Sequence, residues 1–310
     1  MVHILRGLIA LGMSSMLVSS QMDTVFQWRY IDYTWPSDDA KREAILSGAY
    51  NYTQVVPMDI DVSQDGRIFF SSVNYPGNPA RLGTVSTRVE YSGPLIKPYP
   101  SWEWTDRSNC DSIIETWKMK IDECNRLWVI DTGRDDKMNK ICPAKLLAFD
   151  LATDTLVTKV IVPDNIAANS QTKKTLMTTL RVETSGSECE STTVSLLVLW
   201  VTQICLDNHQ VIGVLSTCAG FVAQDRKRLR FAVGMKVIPK PVVPEEELWV
   251  MTNRFTEFLQ NRLDYNEYNI FVLRARVKQL ISGTKCELPQ EVAQKLSNIR
   301  ETYGSPFPKY

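Results

Sequence analysis

The sequence predicts an all-β fold of the propeller type, and three observations carry that prediction. First, a short apolar strand leading through a polar turn into a second strand recurs from Met58, Met119 and Met235. The second strands read Arg67-Ile68-Phe69-Phe70, Arg126-Leu127-Trp128-Val129-Ile130-Asp131 and Glu247-Leu248-Trp249-Val250-Met251-Thr252. A third strand follows in the last two copies, Lys145-Leu146-Leu147-Ala148-Phe149-Asp150 and Asn269-Ile270-Phe271-Val272-Leu273-Arg274. Second, the starts lie 61 and 116 residues apart, the longer interval close to twice the shorter. Third, a cluster this small cannot bury both of its faces alone; repeated at a fixed period, such clusters stack on one another as blades. About 290 residues at a period of about 60 give fewer than five blades, about four blades' worth of sequence, of which three are well formed; four- and five-bladed rings both exist.

Taken in order, the N-terminus carries His3 and Arg6, an apolar run from Leu8 to Val18 and then Ser19-Ser20. That is the layout of a secretory signal cleaved near Ser20, and the run is short of the roughly 20 apolar residues a membrane span needs. The expected division is residues 1–20 as signal peptide, 21–288 as a single propeller domain and 289–310 as a C-terminal tail. Residues 22–57 read as an entry segment with Trp28, Trp35 and a charged stretch, 38–43, long enough for one helical turn or two. Between the first two clusters, residues 75–83 form a long Pro- and Gly-rich turn, and Tyr99-Pro100-Ser101-Trp102-Glu103-Trp104 an aromatic loop. Loops of this kind cap the propeller face on which ligands bind. The rhythm breaks between about Thr172 and Gly220, where residues 193–203 form a near-continuous apolar run, a buried strand without alternation. Blade grammar resumes at Phe221, and a short helix over 290–300 precedes a Pro-rich end.

Composition narrows the function. With 44% apolar and 23% charged residues the chain can bury a substantial core. Thirty-five basic and thirty-five acidic side chains cancel without any long Lys/Arg run, so neither nucleic acid nor membrane is an expected partner. The seven cysteines, Cys110, Cys124, Cys142, Cys189, Cys205, Cys218 and Cys286, fit no zinc spacing, and only His3 and His209 accompany them. Disulfides in an extracellular protein are the expected use, the odd count leaving one thiol unpaired or paired between chains, and no metal or cofactor is expected. Asn51-Tyr52-Thr53 is the one acceptor for N-glycosylation. Asp122, Asp131, Asp135 and Asp136 gather around the second cluster; calcium is one use for them, but a solvated turn in which they cap backbone amides is preferred. A Ser-His-Asp triad would require His209, read as a lone surface histidine, so no catalytic residue is named.

Three stretches carry a resemblance: residues 121–133, with Asp122-Glu123-Cys124-Asn125 and Asp131-Thr132-Gly133; Cys142-Pro143-Ala144 with the strand to Leu151; and Gly234-Met235-Lys236-Val237 with 247–255. They resemble the major royal jelly and yellow protein family of secreted insect proteins. The resemblance implies a six-bladed propeller from which roughly two blades are missing between Thr193 and Phe221. Residues 195–220 depart from the family pattern, and a gene-model lesion is preferred over a diverged, shortened paralogue. It also implies one disulfide among Cys110, Cys124 and Cys142. Cys286 resembles a family cysteine whose partner is Cys205, with Cys218 as the alternative; Cys189 has no assigned role.

Some salivary members of that family bind biogenic amines in the propeller's central cavity, and the resemblance places an Asn and a Phe of that pocket at Asn253 and Phe255. An amide can accept from an ammonium or hydroxyl, and an aromatic face attracts a cation. The function expected is therefore a secreted binder of a small aromatic amine or catechol-type pigment precursor. Two alternatives stand beside it. One is dopachrome conversion, an isomerisation that needs a positioned base; the other is a nutritive or storage role that needs no site.

Overall fold

A computed structural model describes residues 22–168, 176–185, 191–199, 211–214, 220–239, 242–243, 245–282 and 287. The signal segment, Cys205, Cys286, His209 and the helix expected at 290–300 lie outside them.

Sixteen strands are described: β1 (Asp23–Trp28), β2 (Pro57–Val62), β3 (Ile68–Ser72), β4 (Leu82–Glu90), β5 (Gly93–Pro98), β6 (Thr116–Ile121), β7 (Arg126–Asp131), β8 (Lys145–Asp150), β9 (Thr155–Ile161), β10 (Leu176–Ser185), β11 (Ser191–Leu199), β12 (Val211–Val214), β13 (Gly220–Gln224), β14 (Phe231–Ile238), β15 (Glu247–Asn253) and β16 (Ile270–Arg276). The described helices are short: α1 (Asp38–Leu46), α2 (Asp164–Ala167), α3 (Phe255–Leu259) and α4 (Val277–Ile281). The strands make three four-stranded antiparallel sheets, β2-β3-β4-β5, β6-β7-β8-β9 and β1-β16-β15-β14, beside the ladders β10-β11 and β12-β13. The three strand clusters read from the sequence are thus three complete blades of an incomplete propeller.

Packing follows from the two-residue period of a strand, which sends successive side chains to opposite faces. Leu127 and Val129 face the first blade with Phe69 and Leu82, whereas Trp128 between them faces Leu180 and Val194 of the β10-β11 ladder. In β15, Trp249 and Met251 pack toward Met58, Ile60 and Phe70, while Val250 packs with Ala223 of β13. Each apolar cluster therefore lies between two neighbouring sheets, as blade stacking requires.

Polar contacts fix the inner strands against one another. Asp59 and Asp61 of β2 accept the backbone N–H groups of Met119 (3.1 Å) and Ile121 (2.8 Å) in β6. Lys236 of β14 reaches Asp59 at 3.0 Å, and Lys118 of β6 donates to the carbonyls of Met58 and Val233. The approach is close: a Cβ on Gly234 would lie 2.9 Å from Ile60 N.

Two sequence expectations are corrected. Residues 22–57 are more than an entry segment, because β1 pairs with β16 from Asp23↔Arg274 to Trp28↔Ile270 and completes the last blade. The turn read over 75–83 ends earlier, since Leu82 and Gly83 already belong to β4, and the first blade gains two unforeseen strands, β4 and β5. The charged stretch does open a helix: α1 begins after Ser37, whose hydroxyl accepts from Ala40 N, and carries Asp38 and Asp39 in its first turn.

Candidate functional site

The candidate site lies where β15 ends and the chain turns into α3. Facing that end are the exit from β1 (Arg29, Tyr30), a short 3-10 turn over Tyr52–Gln54, the segment leading into β2, and the approach to β16 (Asn269, Ile270). Together they line a small recess of about 20 Å³, room for about one water molecule. A wider, open cleft of about 460 Å³ adjoins it, sharing Thr53, Phe258, Leu263 and Tyr265.

Both residues that the resemblance singled out line the smaller cleft. Asn253 is buried at 4% exposure; its Nδ2 donates to Pro57 O at 3.0 Å, and its Oδ1 has no partner. Phe255 is half-buried, 5.4 Å from the Phe231 ring and stacked at 6.0 Å on Phe258. The described inner strands β2, β6 and β14 meet around Asp59, Lys118 and Lys236, which occupy the space between them.

The other walls were not foreseen. Tyr52 lies 4.5 Å from the Tyr30 ring and edge-on to Tyr265 at 5.2 Å, giving an aromatic side to the cleft. Burial and the nearby Asp32 carboxylate raise the Tyr30 phenol above its ordinary value, and burial does the same to Tyr265, so both present neutral hydroxyls. Asn269 spends its Nδ2 on the carbonyls of Arg29, Asp264 and Glu267, leaving Oδ1 unpaired. Arg254 pairs through Nη1 with Glu267 at 3.0 Å, while its buried Nε has no partner. Arg29 is held between the rings of Tyr91 and Tyr268, 4.3 Å from each centroid. Three of the buried polar atoms left without a partner among the described residues, Asn253 Oδ1, Asn269 Oδ1 and Arg254 Nε, thus belong to the lining of one cleft. Buried polar atoms are ordinarily satisfied, so such a gathering singles out the walls of this recess. Of these residues only Arg254, next to Asn253, had a sequence signal within reach.

The remaining expectations resolve individually. Asn51 is exposed beside the cleft, its Oδ1 accepting from Thr53 N and Oγ1. Cys110 and Cys142 form a disulfide, and Cys124 is also disulfide-bonded. The preferred reading of the aspartates holds for backbone capping but not for solvation. Asp131 is fully buried, accepts from the N–H groups of Ile114, Glu115 and Gly133, and pairs with Lys145 at 2.8 Å. Asp122 is buried beside Arg126 and Trp128, whereas Asp135 caps an exposed turn through Lys137 N and Asn139 N. No group of three or more His, Cys, Asp or Glu among the described residues is arranged to hold a metal. Away from the cleft, Glu115 is buried between Trp117 Nε1 (2.8 Å) and Thr132 Oγ1 (2.7 Å). Burial, with the Asp131 charge adding to it, pushes its carboxyl up to about 7.

Blades stacked through apolar faces, with a ring-lined recess at the end of one strand, define an incomplete β-propeller protein. The family model for major royal jelly proteins matches residues 114–197 and 205–286, more than half of the chain, and the chain belongs to that family. It is similar to three proteins of Apis mellifera: major royal jelly protein 8, 36% identical over 176 residues, major royal jelly protein 6, 38% over 159, and major royal jelly protein 1, 36% over 176. These matches take in 57%, 51% and 57% of this chain but only 42%, 36% and 40% of the relatives, so the chain spans about two fifths of their length. No helix among the described residues is long and apolar enough to cross a membrane.

Proposed function

We propose that this protein is a secreted binder of small aromatic ligands of the amine or catechol type, held in the cleft between Asn253 and Phe255. The observation that carries the reading is the set of rings, Tyr30, Tyr52, Tyr265, Phe255 and Phe258, that walls the recess and, through Tyr265 and Phe258, the open cleft of about 460 Å³ beside it. The rings supply stacking faces for an aromatic ligand, and Asn253 and Asn269 stand among them with amide oxygens that accept from no protein group. A signal-type N-terminus and a glycan on exposed Asn51 belong to the same reading.

The test is titration of the full chain with dopamine and serotonin, followed by calorimetry. Saturable binding that Asn253→Ala and Phe255→Leu each weaken about tenfold, as the loss of one hydrogen bond or ring face would, supports the proposal. Absence of saturable binding, or binding indifferent to both substitutions, refutes it. Isomerisation of dopachrome has no comparable support. It needs a base at the substrate, no Asp or Glu is among the cleft-lining residues, and Glu115 is not among them either.

A further inference from the structure

We propose that the open cleft beside the recess is a site for a neutral saccharide, a reading that does not rest on aromatic-ligand binding in the recess. Its volume of about 460 Å³ falls within the range of roughly 300–1,000 Å³ usual for small-ligand clefts. Three half-buried rings wall it, Tyr75, Phe258 and Tyr265, with the Tyr75 and Phe258 centroids 5.3 Å apart. The polar lining is Thr53, Gln54 and Asn261, and none of the described residues that line the cleft is charged.

Unlike the amides of the recess, these groups are open to solvent. Asn261 is exposed, and neither its side-chain amide nor the Tyr75 hydroxyl makes a hydrogen bond within the described residues. Gln54 Nε2 makes only a 3.4 Å contact with Thr53 Oγ1. Burial, with the Glu115 and Asp136 charges adding to it, raises the Tyr75 phenol, and burial raises that of Tyr265, so both hydroxyls stay protonated. A pyranose has apolar C–H faces and a rim of hydroxyls that both donate and accept. Its faces suit the rings, and its rim suits amides and phenols, which offer both roles as well. An ammonium or a carboxylate would give up water in this cleft without meeting an opposite charge. A wholly apolar molecule would take water from the amides and return nothing.

A second observation points to the same chemistry. Asn51, the first residue of the glycan acceptor, packs against two walls of the cleft. Its Oδ1 accepts from Thr53 N and Oγ1, and its N–H donates to Gly77 O in the turn that follows Tyr75. Its Nδ2, the atom a glycan would occupy, makes no hydrogen bond within the described residues, and the residue is exposed. A glycan attached there begins beside the cleft. The saccharide therefore has two sources, the core of that glycan or a free sugar, and both bring the same neutral, hydroxyl-rimmed ring.

The full chain made in a bacterial periplasm, which forms disulfides and adds no N-glycan of this kind, is titrated calorimetrically with two sugars. One is N,N′-diacetylchitobiose, the neutral core disaccharide of an N-glycan; the other is chitobiose, with bare ammonium groups in place of the acetamides. The neutral sugar should saturate the site with a dissociation constant of about 1 mM or less, and the charged one should bind about tenfold or more weakly. Asn261→Gly removes an amide where φ is already +52°, so the backbone keeps its conformation. That variant and Tyr75→Leu should each weaken the neutral sugar about fivefold. The same titration of the chain secreted from eukaryotic cells decides the source: a site that no longer takes added sugar is filled by the Asn51 glycan, and one of unchanged affinity takes free sugar. No saturation of the unglycosylated chain by the neutral disaccharide, equal binding of the charged one, or indifference to both substitutions would overturn the proposal, while the dopamine titration tests the recess separately.

Discussion

That Asn253 and Phe255 lie side by side was legible in the sequence, because they stand two positions apart where β15 ends and α3 begins. Arg29, Tyr30, Tyr52, Tyr265 and Asn269 were not, since they become neighbours only through the folding of segments more than 200 residues apart in the chain. Glu115 was equally silent, for nothing local announces a buried carboxyl. Its raised value has a definite consequence. The folded state holds the Glu115 proton more tightly than the unfolded chain does, so its contribution is fully present below the ordinary glutamate range, near pH 4.5, and is lost as pH rises through about 7. The loss amounts to roughly 3 kcal/mol by the time the group is fully ionised. Urea midpoints should therefore fall between pH 5 and pH 7.5, and Glu115→Gln should flatten that fall and be the more stable form at pH 7.5. Parallel pH profiles for the two proteins would show that the carboxyl is not held as described.

The second strand of every blade was readable, because Phe69, Trp128 and Trp249 stand in β-rich runs bounded by turns. The first blade's outer strands were not. The far half of β4 is exposed from Thr87 to Glu90, and β5 carries Pro94 and Pro98, which read as turn residues. Proline is tolerated there because β5 is the last strand of its sheet, and on its outer side the 32–34 segment bonds to it only through Ile96, between the two prolines. Turn geometry is decided at this scale too. Gly48 and Gly133 both have positive φ, +76° and +63°, but a Cβ on Gly48 meets open space whereas one on Gly133 would lie 2.3 Å from Cys142 O. Gly48→Ala should cost about 1 kcal/mol, the conformational term alone. Gly133→Ala should cost about 3 kcal/mol or more, because the backbone beside the Cys110–Cys142 disulfide must also move. Thermal melts of the two variants, side by side, separate the effects, and equal shifts would contradict the close approach.

Across the whole molecule, the three blades that carry strand clusters were readable and the way the last one is completed was not, since a single strand near the N-terminus carries no cluster signal of its own. Trp28 shows what that strand does. It is 1% exposed in the core shared by the first and last blades, and its Nε1 donates to Pro94 O at 2.6 Å, so it joins β1 to the edge of a different sheet. Trp28→Ala should cost about 4 kcal/mol, and in urea both blades should lose structure in one transition. A blade-by-blade unfolding curve would mean that the pairing of β1 with β16 contributes little to cooperativity. That pairing also orders events during synthesis. The first described strand has its partner about 250 residues further along the chain, and at about 5–20 residues per second the interval between them is on the order of 10–50 s. For that time Phe26 and Trp28 lack their β16 partners, and an unpaired strand is open to pairing with a neighbour's.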